Sequence, residues 1–238
     1  MSKIYEALKK AEQDRERART RPSAPPAAIP PGVDGTDPIE EEYQKLRASL
    51  VSIAVPAGLH TVLVTAPNHA EGATTVAVGL ASALGKERES RVLLIEGNWR
   101  TPCFRSILPI PGEPEDAVGR GSPESLAIRL EELNFSVIPA GSAQATAIDL
   151  DMIDGLLSRL RSQFDFIVVD GPPVNSYADA SVLATKVDGV ILVVQADKTP
   201  VVEAENAKRQ LGKVGARILG VVLNRRRSYI PAFLESIL

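Results

Sequence analysis

The regular alternation of short apolar runs with helical patterns constrains the fold of this chain more than any other feature. Apolar runs rich in Val, Ile and Leu occupy residues 61–65, 91–96, 133–140, 164–170, 188–195 and 216–224. Helical patterns cover residues 39–55, 74–86, 149–162 and 200–214. Continuous apolar strands separated by helices are typical of a parallel sheet that is buried on both faces. We therefore predict one α/β domain over residues 39–238, with a mostly parallel sheet flanked by helices on both faces.

The N-terminal part of the chain has a different composition from this domain. Residues 1–19 are rich in charge and carry a narrow apolar stripe, which predicts an amphipathic helix. This helix suits either a solvated chain end or a docking element for a partner or a membrane surface. Residues 20–38 contain six prolines and almost no large apolar side chain, so we predict an extended linker.

Composition and charge exclude several functional classes. The net charge is −3 and aromatic residues make up 4% of the chain, so neither a basic surface nor stacking platforms for nucleic acid are expected. Cys103 is the single cysteine, which excludes an internal disulfide. The sequence shows no secretory signal and no apolar run of the ~18 residues that a membrane span requires. We therefore expect a cytoplasmic protein that does not bind nucleic acid.

The segment after the first apolar run is similar to a phosphate-binding loop. Such a loop presents backbone N–H groups at the start of a helix, together with a lysine that contacts the outer phosphates. Gly72 and Thr74 stand where the loop glycine and the Mg²⁺-binding hydroxyl belong, but Ala73 stands where the lysine is expected. An ordinary strand-to-helix turn without a ligand remains an alternative for this segment alone.

Two further strand ends carry polar residues that suit a site for Mg²⁺. The run at 91–96 ends in Glu96, which Asn98 and Arg100 follow at alternate positions. The run at 164–170 ends in Asp170, directly before a Gly-Pro-Pro turn. The carboxyl ends of parallel strands meet at the ligand-binding edge of a sheet, and oxygen ligands there suit Mg²⁺.

Together these motifs give a specific resemblance. The helix EEYQKLRASL, the degenerate phosphate loop, the acidic strand end followed by Arg-x-Pro, and the strand FIVVDGPP occur in this order. The set resembles the bacterial tyrosine kinases of capsule and exopolysaccharide synthesis over residues 39–238. It is similar, more distantly, to the deviant P-loop ATPases of partitioning and division-site placement. The resemblance implies a P-loop NTPase-like fold and a site for ATP or ADP with Mg²⁺.

The resemblance also assigns roles to individual residues. It places the catalytic carboxylates on Glu96 and Asp170. It places the oligomerisation motif on the first helix of the domain, at Glu41, Gln44 and Arg47. The predicted metal ligands are Thr74, Glu96 and Asp170. The predicted nucleotide-binding residues are Gly72, Ala73, Thr74, Thr75, Arg100 and Asn224. The predicted phosphoacceptor is Tyr229, which stands where the family has a tyrosine cluster.

Departures from the family pattern concentrate where the chemistry is. Ala73 replaces the lysine, Asn98 replaces an aspartate and Gln44 replaces an arginine. We therefore expect a catalytically impaired regulatory or scaffolding subunit. The resemblance implies a transmembrane polysaccharide chain-length regulator as its partner, a homo-oligomer, and a peripheral location at the inner face of the cytoplasmic membrane. A weakly active tyrosine autokinase and a division-site or pilus-positioning ATPase are the alternatives.

A short basic run, Arg225 to Arg227, follows the last apolar segment. Phosphate binding, binding to anionic lipid and a solvated surface all remain open for it.

Overall fold

The computed structural model describes residues 38–87, 90–111, 127–140 and 150–226. The chain divides into two units, Met1–Gly32 and Val33–Leu238, and every described residue belongs to the second unit. The predicted helix over residues 1–19 and the linker up to residue 37 lie outside the described residues, as does Tyr229.

The described part of the chain alternates strands with helices. The strands are β1 (Thr61–Thr65), β2 (Val92–Glu96), β3 (Ile128–Leu130), β4 (Phe135–Ile138), β5 (Phe166–Asp170), β6 (Gly189–Gln195) and β7 (Ile218–Asn224). The α-helices are α1 (Pro38–Ala57), α2 (Ala73–Gly85), α3 (Phe104–Ile107), α4 (Leu150–Leu160), α5 (Ala178–Ala184) and α6 (Val201–Lys213). Among the described residues, no helix combines the length and the apolar character needed to cross a membrane.

One seven-stranded sheet, in the order β3-β4-β2-β5-β1-β6-β7, forms the centre of the domain. All neighbouring strands are parallel except β3, which runs antiparallel to β4. The predicted mostly parallel sheet is therefore confirmed. β3 was not predicted from the sequence, because three residues with a central arginine give no apolar run. The short helices α3 and α5 were not predicted either.

The helices cover both faces of the sheet, as predicted. In β1, Val62 and Val64 point to a core shared with α1 and α2, whereas Leu63 points to a second core shared with α4, α5 and α6. This alternation follows from the two-residue period of a strand. Because both faces are buried, every position of β1 is apolar or a buried threonine.

The sheet topology places the candidate site. The central strand β1 lies between β5 and β6, and β2 lies beyond β5. Ligands bind in open α/β sheets outside the carboxyl ends of the strands, where the strand order reverses. The loops after β1, β2, β5, β6 and β7 all leave the sheet at this edge, because the five strands are parallel.

Candidate functional site

The loop between β1 and α2 has the backbone geometry of a phosphate-binding loop. Gly72 is the residue before the helix and has φ 95° and ψ 23°. Ala70 also has a positive φ, of 61°. The Val76 N–H donates to the Gly72 carbonyl over 3.0 Å, which begins the helix. A helix N-terminus preceded by such a turn presents free backbone N–H groups to an anion.

Asn224, at the end of β7, holds this loop from the side of the last strand. Its Nδ2 donates to the Glu71 carbonyl over 2.9 Å. A Cβ added to Gly72 would lie 2.1 Å from the same Nδ2, so the amide packs directly on the glycine. Asn224 Oδ1 accepts the Arg225 N–H over 2.9 Å. The structure thus brings together Gly72 and Asn224, both predicted as nucleotide-binding residues, although each end of the amide already has a partner within the chain.

A buried glutamate inside the loop, which was not predicted as a site residue from the sequence, holds the loop at a second point. Glu71 is 3% exposed, and its carboxylate accepts from Asn68 N over 3.1 Å and from Asn68 Nδ2 over 3.2 Å. It also accepts from Thr199 Oγ1, in the turn after β6, over 2.8 Å. A charged residue directly before the loop glycine was the available signal in the sequence. Glu71 therefore fixes the loop to the turn after β6.

Asp170 is a buried carboxylate without hydrogen-bond partners. It is 1% exposed, and neither carboxylate oxygen has a partner of regular geometry. Burial, together with a smaller effect of the nearby Glu96 charge, raises its pKa from 3.8 to about 7. The Thr74 hydroxyl lies close enough to lower the pKa in part. An unpaired buried carboxylate at this edge is a group that a bound cation would satisfy.

Glu96 lies beside Asp170 in the register of β2 and β5, but its oxygens have other partners. Oε1 accepts from the backbone N–H groups of Cys103 and Phe104, and Oε2 accepts from that of Ala140. These three bonds hold the start of α3 and the end of the β4 segment. The role of Glu96 as a catalytic residue and metal ligand stays a prediction, and the same carboxylate has a clear structural role.

Arg100 lies at the rim of the site, with its charge compensated. Its Nε donates to Asp179 over 2.6 Å, and its guanidinium carbon lies 5.0 Å from the centroid of the Tyr177 ring. The Tyr177 ring in turn meets the His69 ring edge-on, with centroids 5.5 Å apart. Burial lowers the pKa of His69, which favours its neutral form. This cluster joins the tip of the phosphate loop to the loops after β2 and β5.

Cys103 lies next to the candidate metal site but has no reactive character. Burial and the charges of Asp170 and Glu96 raise the pKa of its thiol to about 12. The thiolate is the reactive form of cysteine, so this thiol is inert at neutral pH.

Asn98, which departs from the family pattern, donates its Nδ2 to Thr101 Oγ1 over 2.9 Å.

The candidate oligomerisation residues on α1 already bind one another or their neighbours. Arg47 Nε donates to Gln44 Oε1 over 2.9 Å, and the Arg47 guanidinium forms an ion pair with Glu87. Glu41 pairs with the exposed Lys45 over 3.1 Å. The oligomerisation role stays a prediction, and an interface through Arg47 would have to replace these contacts.

Thr74 and Asp170 are the described residues best placed to hold Mg²⁺. Asp170 offers two oxygens without partners, and the Thr74 hydroxyl lies beside them. Among the described residues, no group of three or more His, Cys, Asp or Glu side chains is arranged to bind a metal ion. The remaining ligands would therefore have to be phosphate oxygens and water, as is usual for Mg²⁺ at nucleotide sites.

Comparisons with known proteins show which proteins this chain is similar to. No protein-family model matches the chain. The tyrosine-protein kinase CpsD of Streptococcus pneumoniae serotype 4 is 29% identical over 174 residues, which cover 70% of this chain and 76% of that protein. The crystal structure of the VpsO kinase domain is 30% identical, covers 79% of this chain and 96% of that domain, and has a TM-score of 0.65.

The fold agrees with a further kinase domain. The kinase domain of the Escherichia coli tyrosine kinase ETK has a TM-score of 0.74 and covers 91% of this chain and 89% of that domain. At 22% identity, this similarity shows the fold alone. The resemblance drawn from the four sequence motifs is therefore confirmed at the level of fold and of family.

Proposed function

We propose a function for this chain from the premise that it belongs to the family of bacterial tyrosine kinases. The chain is a catalytically impaired member that works as a regulatory or scaffolding subunit in exopolysaccharide or capsule polysaccharide synthesis and export. The observation that carries this proposal is Ala73, which begins α2 at the position of the phosphate-loop lysine while the loop around it keeps its geometry.

The loss of the lysine is expected to reduce the rate of phosphotransfer more than the affinity for the nucleotide. A charge-assisted hydrogen bond contributes roughly 1.5–3 kcal/mol, so its absence weakens phosphate binding by about 10- to 150-fold. Removing one donor that stabilises transition-state charge costs about 10²–10³ in rate. Residual binding of ATP or ADP is therefore compatible with the loss of most phosphotransfer.

The remaining residues are suited to hold a nucleotide with its metal. Backbone N–H groups at the start of α2 would bind phosphate oxygens, and Asp170 and Thr74 would hold Mg²⁺. When bound, Mg²⁺ supplies positive charge that offsets the charge of the phosphates. Asp170, whose pKa of about 7 leaves it partly protonated at neutral pH, would lose its proton as the cation binds.

The N-terminal part of the chain is proposed to connect the domain to its partner. The partner is a transmembrane polysaccharide chain-length regulator, and the location is peripheral at the inner face of the cytoplasmic membrane. A helix with an apolar stripe on a proline-rich linker would raise the effective concentration of the domain at that partner. Deletion of residues 1–38 is expected to weaken the association in a pull-down with the regulator, and an unchanged pull-down would exclude this role.

The first test of the proposed function compares the wild type with Ala73→Lys. Calorimetric titration with Mg²⁺ and ATP measures binding, and detection of phosphotyrosine measures transfer. We expect no phosphotyrosine from the wild type and at least tenfold tighter binding by Ala73→Lys. Phosphotyrosine on the wild type that disappears in both Asp170→Asn and Tyr229→Phe would overturn the proposal in favour of an active autokinase.

A further inference from the structure

The site edge of the sheet holds a cation whose charge is not already compensated. Arg100 has an acidic partner in Asp179, at 2.6 Å. None of the ion pairs formed among the described residues includes Arg225, the residue after β7. Its Nη1 donates instead to the neutral Gln195 Oε1 over 3.2 Å. Among the described residues, Arg225 is therefore a cation at this edge of the sheet that forms no ion pair with a carboxylate, and the phosphate loop lacks a cation of its own.

The backbone of Arg225 is tied to the phosphate loop through Asn224. The Arg225 N–H donates to Asn224 Oδ1, and Asn224 Nδ2 donates to the Glu71 carbonyl, each over 2.9 Å. The same amide packs against Gly72. One side chain therefore separates the Arg225 backbone from the last two residues before α2.

The side chain of Arg225 contacts the end of β6, close in sequence to the turn that holds the phosphate loop. Gln195 accepts the hydrogen bond from the guanidinium, and its own backbone N–H donates to Thr199 Oγ1 over 2.9 Å. Thr199 Oγ1 donates in turn to the buried Glu71 carboxylate over 2.8 Å. Gln195 and Asn224 are also register partners in the parallel pair β6 and β7. The backbone of Arg225 is thus tied to the phosphate loop through Asn224, and its guanidinium lies at the end of β6, whose following turn contacts the loop through Thr199.

The conformation of Arg225 is one that an arginine rarely adopts. Its φ is 56°, in the left-handed region that favours glycine. Strained residues of this kind persist where the surrounding contacts over-determine them, and they cluster at ligand sites. At Arg225 this conformation accompanies the turn at the end of β7, and the guanidinium contacts Gln195 at the end of β6.

We propose that Arg225 binds the phosphate chain of the ligand at this loop and supplies the positive charge that Ala73 cannot. The ligand class is a polyphosphate, either free or as part of a nucleotide. The inference rests on the proposed function in taking the loop as a nucleotide site, but it makes a claim about binding and none about phosphotransfer.

The test measures binding of inorganic tripolyphosphate and of ADP, each with Mg²⁺, by calorimetry at low salt. Arg225→Gly is the informative variant, because glycine suits the positive φ. We expect it to weaken tripolyphosphate binding by about 10-fold, as befits one charge-assisted contact. Its melting temperature should be at least that of the wild type. Arg225→Lys should retain most of the affinity.

Lys198→Ala is the matched control, since Lys198 is an exposed cation in the neighbouring turn after β6. It should change both affinities by less than twofold. Adenosine, which has no phosphate, should bind the wild type and Arg225→Gly equally. If Arg225→Gly lost more affinity for ADP than for tripolyphosphate, Arg225 would contact the nucleoside part of ADP rather than the phosphate chain. That result would overturn the proposal.

Two other results would also overturn it: a wild type that binds no tripolyphosphate, or an Arg225→Gly variant that binds it as the wild type does. Both leave the proposed function standing, because that function is overturned by a different result, phosphotyrosine on the wild type that disappears in both Asp170→Asn and Tyr229→Phe.

Discussion

Replacing Asp170 with asparagine should stabilise the protein, and the stabilisation should grow with pH. The wild-type carboxylate is 1% exposed and has no hydrogen-bond partner, so its charged form is unfavourable in the folded state. Its pKa is about 7 in the folded protein against an ordinary value of 3.8. Asparagine has a similar shape but carries no charge at any pH.

The magnitude follows from the difference between the two pKa values. One pKa unit corresponds to about 1.36 kcal/mol, so the charged form disfavours folding by at most about 4 kcal/mol. Below pH 3.8 the group is neutral in both states, and the penalty is absent. Between pH 3.8 and 7 the unfolded chain ionises while folded Asp170 stays protonated, so wild-type stability falls as pH rises. Above pH 7 the penalty is complete.

Thermal unfolding in the presence of a chelator measures this effect. At pH 4.5 the penalty is about 1 kcal/mol, so Asp170→Asn should melt only about 2–4 °C above the wild type. At pH 8.5 the variant should melt higher by up to about 16 °C, since 1 kcal/mol corresponds to roughly 2–4 °C in a domain of this size. Added Mg²⁺ should reduce the difference if Asp170 holds the cation.

Asp165→Asn is the control with the opposite sign. A hydrogen bond from Arg91 lowers the pKa of Asp165, so its charge favours the folded state above the ordinary pKa, and this contribution is lost as pH falls. Asp165→Asn should therefore melt lower than the wild type at pH 8.5, by a small amount because the pair is exposed. A difference between Asp170→Asn and the wild type that is constant or shrinks with pH would refute the reasoning.

Three further substitutions test packing around the site by urea unfolding. Gly72→Ala places a Cβ 2.1 Å from Asn224 Nδ2 at a φ of 95°, and we expect a loss of about 1–3 kcal/mol; an unchanged midpoint would mean that the amide moves freely. Gly79→Ala places a Cβ 2.3 Å from the Tyr43 ring, so α1 must shift, again for about 1–3 kcal/mol; full stability would contradict close packing of α1 on α2. Glu96→Gln leaves a single acceptor oxygen for three backbone N–H groups and should lose about 1–3 kcal/mol; a neutral result would show that these bonds are dispensable.

Six of the strands were predictable because each lies in a run of apolar residues, including β7, which is only partly buried. The run at 61–65 coincides with β1, and the other five predicted runs contain β2, β4, β5, β6 and β7 with their ends displaced by at most two residues. β3 escaped prediction because its register is set by pairing with β4 rather than by its own composition. The helix α5 is only Ala178–Ala184, and its length gives too few turns for a periodic pattern.

The position of the candidate site in the fold could be predicted from the sequence, but the hydrogen-bond partners of its side chains could not. The spacing of Gly72 and Thr74, and the strand end at Asp170, follow from local sequence, and the parallel sheet brings them to one edge. The partners of Glu96 do not follow from local sequence, because the N–H of Ala140 lies 44 residues away along the chain. The bond between Glu71 and Thr199 spans 128 residues, so only the folded sheet brings them together.

These long-range contacts explain how the loop can lack its lysine and keep its shape. The turn before α2 is set by the dihedral angles of Ala70 and Gly72, by the Asn224 amide, and by the Glu71 carboxylate. None of these contacts involves the side chain at position 73, and Ala73 itself packs against the core beneath α2. The loop geometry that presents backbone N–H groups to an anion therefore does not depend on a lysine side chain at position 73. A lysine introduced at position 73 meets a loop that is already formed, so any gain in binding or transfer measures that cation rather than a rearrangement of the fold.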